Sequence, residues 1–171
     1  MKTLCRLLAA AGVATVLGGM IDLPTAEAAD TTTIGATNCF VSSGGTPSRD
    51  FEGRLFNTSH VSAMFVFCPL VRSNATAKPL VVEVFVIDNS SVALGDGNFL
   101  CQLQAMSRNG SQVSPGAART TTGTNSDGQA LAMPIPPLLF ARGAYGLFCK
   151  VPRRGVGDPS SGIASIYYAE P

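Results

Sequence analysis

The chain has 171 residues, of which 46% are hydrophobic and only 13% are charged, and its formal net charge is +1 at pH 7. Intrinsic disorder combines low hydrophobicity with high net charge, so this composition excludes a chain that stays unfolded. Lys and Arg are scattered almost singly, and the sequence therefore shows no basic surface for nucleic acid or for an anionic membrane.

The first 28 residues have the pattern of a secretory signal peptide. Lys2 and Arg6 form a basic start, residues 7–20 form an uncharged apolar run, and Ala26 and Ala28 are the small residues expected three and one positions before the cut. The apolar run is shorter than the roughly 20 residues that a membrane-spanning helix needs. We therefore expect cleavage after Ala28, no membrane insertion afterwards, and a mature protein that is secreted or periplasmic.

The mature chain is predicted to form one domain. Residues 29–38 are small and polar, which predicts a flexible leader, and residues 39–171 have the length of a single domain. The segment 80–87 is apolar at nearly every position, as expected of a strand covered on both faces or of a central strand of a sandwich. Residues 99–105 alternate between apolar and polar side chains, as in a half-buried strand. Further strands are predicted at residues 51–56, 62–68, 119–124, 129–135, 145–151 and 163–168.

These segments predict an all-β fold. Turn clusters rich in Gly, Asn, Asp and Pro separate them, and no amphipathic helix follows residue 28. About eight strands at this spacing indicate a single antiparallel β-sandwich of the jelly-roll type.

Four cysteines remain after cleavage at residue 28: Cys39, Cys68, Cys101 and Cys149. An even number of cysteines in an exported domain predicts two disulfides, for which three pairings are possible. We expect Cys39 with Cys68 and Cys101 with Cys149, because the latter two both lie mid-strand on the predicted inward face. No CxxC spacing occurs, so neither a zinc ribbon nor a thioredoxin-like site is predicted.

Two residues are candidates for catalysis. His60 is the only histidine and lies beside Ser59 and Ser62, but no G-x-S-x-G motif occurs, which favours a polar surface residue. Glu83 lies in an apolar strand, where burial would raise its pKa, but no second carboxylate can be named as its partner. A small secreted hydrolase using His60 or Glu83 is thus the least favoured alternative, and we expect no enzyme activity.

Loop residues offer candidates for ion binding. Oxygen ligands for calcium could come from Asp88, Asp96, Asn98 and Asp127. The order of acids in an EF-hand is absent, and these residue types are also those that turns require. Arg153 and Arg154 lie between Pro152 and Gly155, which favours a solvated turn over an anion site. We therefore expect no metal and no cofactor.

Tyrosines are the candidates for sugar stacking, because the chain has no Trp and only Tyr145, Tyr167 and Tyr168. Tyr167 and Tyr168 are adjacent, so in a strand they point to opposite faces. The hypothesis of a carbohydrate-binding module predicts an exposed aromatic cluster that includes one of these two residues.

Several segments carry a resemblance to known proteins. They are residues 67–72, the Val-rich strand ending at Asp88, residues 99–101, residues 143–149 and the ending 162–168. Together they resemble small exported proteins of Gram-negative bacteria that have no assigned function. The resemblance implies a β-sandwich with the same two disulfides, and it transfers no catalytic residue.

The sequence thus predicts an exported, non-enzymatic β-sandwich that acts through a binding surface, as a binding module or as part of an envelope or extracellular assembly. Its partner is expected outside the cytoplasm and is a protein or a glycan. A carbohydrate-binding module is the first alternative.

Overall fold

The computed structural model of the protein describes residues 30–73, 77–92, 97–137 and 143–171. The predicted signal peptide and the calcium candidate Asp96 lie outside these residues. Within them, no helix is long and apolar enough to cross a lipid bilayer. The described chain forms two antiparallel sheets, so the predicted all-β sandwich is confirmed.

The first sheet, which we call sheet A, has six strands. They are β1 (Asp30–Gly35), β3 (Pro47–Arg49), β4 (Leu55–Asn57), β6 (Val81–Asp88), β10 (Asn125–Ala132) and β12 (Ser161–Glu170). The long strand β12 is central: it pairs with β6 along one edge and with β4 and β1, end to end, along the other. The sheet is extended by β10 beyond β6 and by β3 beyond β4.

The second sheet, sheet B, also has six strands. They are β2 (Phe40–Gly44), β5 (Met64–Leu70), β7 (Leu100–Met106), β8 (Val113–Pro115), β9 (Arg119–Thr120) and β11 (Ala144–Val151). The central strand β11 pairs with β5 and β7. The outer positions are taken by β2 beside β5, and by β8 and β9 beside β7.

The core lies between the two sheets. Alternate residues of each strand point inward, since successive side chains of a strand lie on opposite faces. Burial in β5 and β7 alternates strictly along the strand. The largest fully buried side chains are Leu55, Met64, Val66, Val82, Val84, Phe99, Leu103, Tyr145, Leu147, Ile163, Ile166 and Tyr168.

Sheet B contains two disulfides, and their number agrees with the prediction. Cys101 and Cys149 lie directly opposite each other on β7 and β11, with their Cα atoms 4.1 Å apart. Cys39, just before β2, is bonded to Cys68 of β5, also at a Cα separation of 4.1 Å. Each bridge therefore joins segments that are already neighbours in one sheet.

Two predictions about segments need correction. Residues 30–35, expected to belong to a flexible leader, form strand β1, because this Thr-rich run pairs with β12 from Ser165 to Glu170. The interpretation of residues 80–87 as a strand covered on both faces is wrong, and the alternative, a central strand of the sandwich, is confirmed, since β6 lies between β10 and β12. Val84 and Val86 are buried, whereas Phe85 on the other face is 44% exposed. The outward-facing residues of β6 are also mostly apolar, so the sequence does not show the alternation between buried and exposed positions.

The number of strands also differs from the expectation. The described residues contain twelve strands, where about eight were predicted. The additional ones are short or polar, as in β2, β3 and β8, and lack an apolar period. The predicted strand at 51–56 is reduced to β4, because Asp50 accepts hydrogen bonds from the backbone of Glu52 and Arg54 and closes a turn there. The Thr-rich segment predicted at 119–124 is a strand only over β9.

Candidate functional site

His60 is exposed in the connection between β4 and β5. Its backbone carbonyl accepts a hydrogen bond from Nη1 of Arg153 at 3.2 Å. The hydroxyl of Ser59 accepts bonds from the backbone N–H groups of Val61 and Ser62 and so stabilises the turn. A nucleophilic triad needs the imidazole hydrogen-bonded to its nucleophile. No contact of that kind is found among the described residues.

Glu83 is half-buried on the outer face of β6. The residues opposite it on the neighbouring strands are Ala132 of β10 and Tyr167 of β12. Neither supplies the second carboxylate that glycoside hydrolysis requires. The site geometry therefore gives the hydrolase alternative no support at Glu83.

Asp88, a calcium candidate, is buried and serves as a structural acceptor. Its carboxylate accepts hydrogen bonds from the hydroxyls of Thr121 and Ser161 and from the backbone N–H groups of Ser90 and Phe99. These contacts join the end of β6 to Phe99 just before β7, to Thr121 just after β9 and to the first residue of β12. Among the described residues, no group of three or more His, Cys, Asp or Glu side chains could hold a metal ion.

The other two calcium candidates that the structure describes, Asn98 and Asp127, are exposed. The backbone N–H of Asp127 donates to Oδ1 of Asn125 at 3.1 Å, which is a typical turn contact. Asn98 therefore lies in the bend before β7, whereas Asp127 lies within β10, where the pairing with β6 is irregular between Asn125 and Gln129.

Arg153 and Arg154 join loops to one another. The backbone carbonyl of Arg153 accepts a bond from the hydroxyl of Ser90 at 2.9 Å, and the backbone N–H of Arg154 donates to the carbonyl of Ser59 at 2.8 Å. The backbone of the pair is thus hydrogen-bonded to neighbouring loops in the segment after β11.

The adjacent tyrosines of β12 lie on opposite faces of sheet A. Tyr168 is buried and donates a hydrogen bond to the carbonyl of Val71, whereas Tyr167 is half-buried on the outer face. Desolvation raises the pKa of Tyr168. Tyr145 is buried in sheet B, where desolvation likewise raises its pKa despite the opposing charge of Arg72. Of the three tyrosines, only Tyr167 is available to an external ligand.

A cluster of aromatic side chains does lie on an outer surface, but it is on sheet B. The core contains Cys39, Cys68 and Cys149, so the residues next to them in the chain point outward, and Phe65 shares the outward face of β5 with Phe67. We call this surface the phenylalanine face, and its residues are Phe40, Phe65, Phe67 and Phe148.

The rings of the phenylalanine face form two contacting pairs on neighbouring strands. Phe40 lies opposite Phe67, and Phe67 lies opposite Phe148, so these three residues make a row across β2, β5 and β11. The ring centroids of Phe40 and Phe67 are 5.3 Å apart, and those of Phe65 and Phe148 are 5.9 Å apart with planes inclined by 20°. Phe40 is 54% exposed, and the other three are half-buried. The array is therefore open to solvent.

Gly146 allows the ring of Phe67 to lie over the backbone of β11. A Cβ atom at Gly146 would lie 2.2 Å from Cζ of Phe67, so any side chain there would displace the ring. The glycine thus keeps this aromatic surface close to the sheet.

Amide groups border the phenylalanine face on β7. Gln102 lies opposite Phe148 and donates to the carbonyl of Gly116 at 2.8 Å, and Gln104 donates to the side chain of Gln102 at 3.4 Å. The six strands of sheet B contain no Asp or Glu, and their only charged residues are Arg119 and Lys150. This outer surface therefore combines aromatic rings with neutral hydrogen-bonding groups and one cation, Lys150, which lies opposite Phe65.

The chain was also compared with known proteins. No protein-family model matches it, and neither does any curated protein sequence. Among solved structures, it is similar to the C-terminal CBM6 of LamC, a marine laminarinase from Zobellia galactanivorans, with a TM-score of 0.49 and 14% identity over 81% of this chain and 98% of that one.

Two further solved structures show a similar chain fold. One is the carbohydrate-binding module CBM36 in complex with calcium and xylotriose, with a TM-score of 0.45 and 14% identity over 80% of this chain and 98% of that one. The other is a family two carbohydrate esterase from Cellvibrio japonicus, with a TM-score of 0.45 and 7% identity over 84% of this chain. The match spans only 35% of the esterase chain.

Proposed function

We propose that the protein is an exported, non-catalytic carbohydrate-binding domain and that the phenylalanine face is its binding platform. The observation that carries this proposal is the row of Phe40, Phe67 and Phe148 across three neighbouring strands. The face of an aromatic ring is electron-rich, so it attracts the polarised C–H bonds on the face of a sugar ring. Adjacent strands lie about 4.8 Å apart, a spacing comparable to the length of one sugar ring. The row can therefore contact successive units of an extended glycan.

The border of the face favours a neutral glycan. Gln102 and Gln104 supply amide groups beside the aromatic row, and amides can donate to and accept from sugar hydroxyls. The strands of sheet B carry no carboxylate, and Lys150 is the only charged residue in the three strands of the row. Apolar rings with a few polar groups at the edge are the usual composition of a ligand site.

Cleavage of the predicted signal peptide would leave the described fold intact. Cleavage after Ala28 would leave one residue before β1 begins at Asp30, so removal of the signal peptide would not shorten sheet A. Disulfides persist in secreted and periplasmic proteins, and both bridges here lie in the sheet that carries the phenylalanine face.

Retention of the mature protein on neutral polysaccharides tests the proposal. Cellulose, xylan, chitin and a β-1,3-glucan are the probes, and we expect at least one to retain the protein. Phe40→Ala and Phe67→Ala should each weaken retention about tenfold, which corresponds to about 1.4 kcal/mol.

Phe51→Ala is the matched control. Phe51 is 95% exposed but lies in the turn before β4, away from the phenylalanine face. Its removal should leave retention unchanged, and thermal unfolding should show that all three variants are folded. Retention on none of the polysaccharides, or equal losses for Phe51→Ala and Phe40→Ala, would contradict the proposal; in either case a protein partner becomes the better candidate for this apolar surface.

A further inference from the structure

A groove of about 360 Å³ lies on the outer surface of sheet A. Its floor contains Phe56 of β4 and Ile87 of β6, which lie on either side of Gly162 in β12. A Cβ atom at Gly162 would lie 2.5 Å from Cδ1 of Phe56 and 2.6 Å from the carbonyl oxygen of Leu55. The ring of Phe56 therefore lies close against the backbone of Gly162, and with Ile87 it forms the apolar floor of the groove.

The walls of the groove present polar groups that have no partner in the described part of the chain. The hydroxyls of Ser48, Ser126 and Ser160 make no hydrogen bond there, although all three line the groove. Asn89 is held in place because its Nδ2 donates to the carbonyl of Ser160 at 2.9 Å and its backbone N–H donates to the hydroxyl of Ser161 at 2.9 Å. Within the described ranges, its Oδ1 accepts no hydrogen bond.

Arg54 lies at one side of the groove, but its charge is already offset. Its guanidinium group is 5.7 Å from the centroid of the Phe56 ring, and it contacts Asp50 at 2.6 Å and Glu52 at 3.0 Å. Desolvation acts to raise the pKa of Asp50, but hydrogen bonds and the charge of Arg54 lower it overall. Two carboxylates thus face one cation, and an anionic ligand would meet net negative charge.

We infer that this groove is a second binding site, which takes one or two units of a non-ionic sugar or a similar polyol. Hydroxyl and amide groups pointing into a small depression with an apolar floor suit a ligand that has hydroxyls around its edge and C–H bonds on its face. The volume is at the lower end of the range for ligand pockets, which favours a single sugar or a chain end over an extended glycan. The site goes beyond the proposed function, because it lies on the other sheet and uses none of the phenylalanine face.

An NMR titration of the mature protein with small sugars tests the inference. D-glucose, D-galactose, D-xylose and N-acetyl-D-glucosamine are the neutral probes, and D-glucuronate is the anionic comparison. At least one neutral sugar should cause saturable shifts of the backbone amides of Ile87, Asn89, Ser126 and Gly162, with an affinity in the millimolar range. D-glucuronate should bind more weakly than D-glucose.

Paired variants assign the binding to the groove. The double variant Ser48→Ala with Ser126→Ala removes two exposed hydroxyls and should weaken binding at least fivefold. Ser43→Ala is the matched control, because Ser43 is an exposed strand serine on sheet B. Phe40→Ala should also leave the small-sugar titration unchanged.

The failures of the two proposals are distinguishable. Absence of saturable shifts at the groove with every neutral sugar, or shifts that Phe40→Ala abolishes and the serine variant does not, would overturn the groove site. Neither result would affect retention on polysaccharides through the phenylalanine face. Conversely, if no polysaccharide retained the protein, the shifts expected for the groove amides with small sugars would be unchanged.

Discussion

Two glycines shape the outer surfaces of the molecule. Gly146 on β11 lies under the ring of Phe67, and Gly162 on β12 lies beside the ring of Phe56. In each case an aromatic side chain from the neighbouring strand occupies space that a Cβ atom would take. A glycine in a strand interior costs conformational entropy, so its presence here is best explained by this close approach.

The two glycines are expected to differ in their response to alanine. At Gly162 the new Cβ would meet the backbone carbonyl of Leu55, which cannot move freely, so Gly162→Ala should destabilise the protein by about 1 to 3 kcal/mol. At Gly146 it would meet only the side chains of Phe67 and Met106, which can rotate, so Gly146→Ala should cost less stability. It should instead weaken retention on polysaccharide by displacing the ring.

Urea unfolding of both variants measures the difference in stability, and polysaccharide retention measures the displacement of Phe67. Equal free energies of unfolding for the two variants would show that the rigidity of the contacted atoms does not decide the cost. Unchanged retention for Gly146→Ala would show that the position of the Phe67 ring does not matter for binding.

At the level of elements, the disulfides determine which residues face outward. The segment Met64–Leu70 is apolar throughout, so its hydrophobic period does not distinguish its two faces. The inward position of Cys68 resolves the ambiguity, because it places Phe65 and Phe67 on the other face. The same reasoning places Phe40 beside Cys39 and Phe148 beside Cys149. The phenylalanine face could therefore have been predicted from the cysteines, whereas the Tyr and Trp content of the chain gives no indication of it.

Removal of each disulfide should lower the free energy of unfolding, and the loss should be larger for the bridge that closes the longer loop. The bridged cysteines are separated by 29 residues in Cys39–Cys68 and by 48 in Cys101–Cys149. The chain-entropy model gives about 3.5 kcal/mol for the first bridge and about 4 kcal/mol for the second. Double alanine variants and denaturant unfolding measure these values. A loss of unfolding free energy below about 1 kcal/mol would mean that the unfolded chain retains residual structure without the bridge, or that the bridge strains the folded protein.

Other elements form only because of tertiary contacts, so the local sequence pattern could not predict them. Strand β1 has little apolar character and is a strand because the free edge of β12 pairs with it. Strand β3 forms in the same way on the edge of β4. The groove of sheet A brings together Ser48, Asn89, Ser126 and Ser160, which are far apart in the sequence and have no motif in common. Only the strand order makes them neighbours.

At the scale of the whole molecule, the two proposed binding sites lie on opposite outer surfaces of the sandwich. Packed sheets lie about 10 Å apart, and the hydrophobic core fills the space between them. One sugar chain lying flat on the phenylalanine face therefore cannot reach the groove. With both sites occupied, the protein would hold two separate glycan segments on its two sides.

The low charge of the molecule predicts that its affinity for polysaccharide depends little on salt concentration. The formal net charge is +1, the strands of sheet B carry two cations and no carboxylate, and the cation of the groove is held by Asp50 and Glu52. Stacking and neutral hydrogen bonds release few counterions, so polysaccharide affinity should change less than about twofold between about 50 and 200 mM NaCl. A protein that binds a phosphate backbone through several cations loses about a thousandfold or more over the same range. Affinity electrophoresis or depletion assays at a series of salt concentrations measure the slope. A steep fall in affinity would mean that Lys150 and Arg119 dominate binding and that the ligand is a polyanion, because only ionic contacts respond to salt in that way.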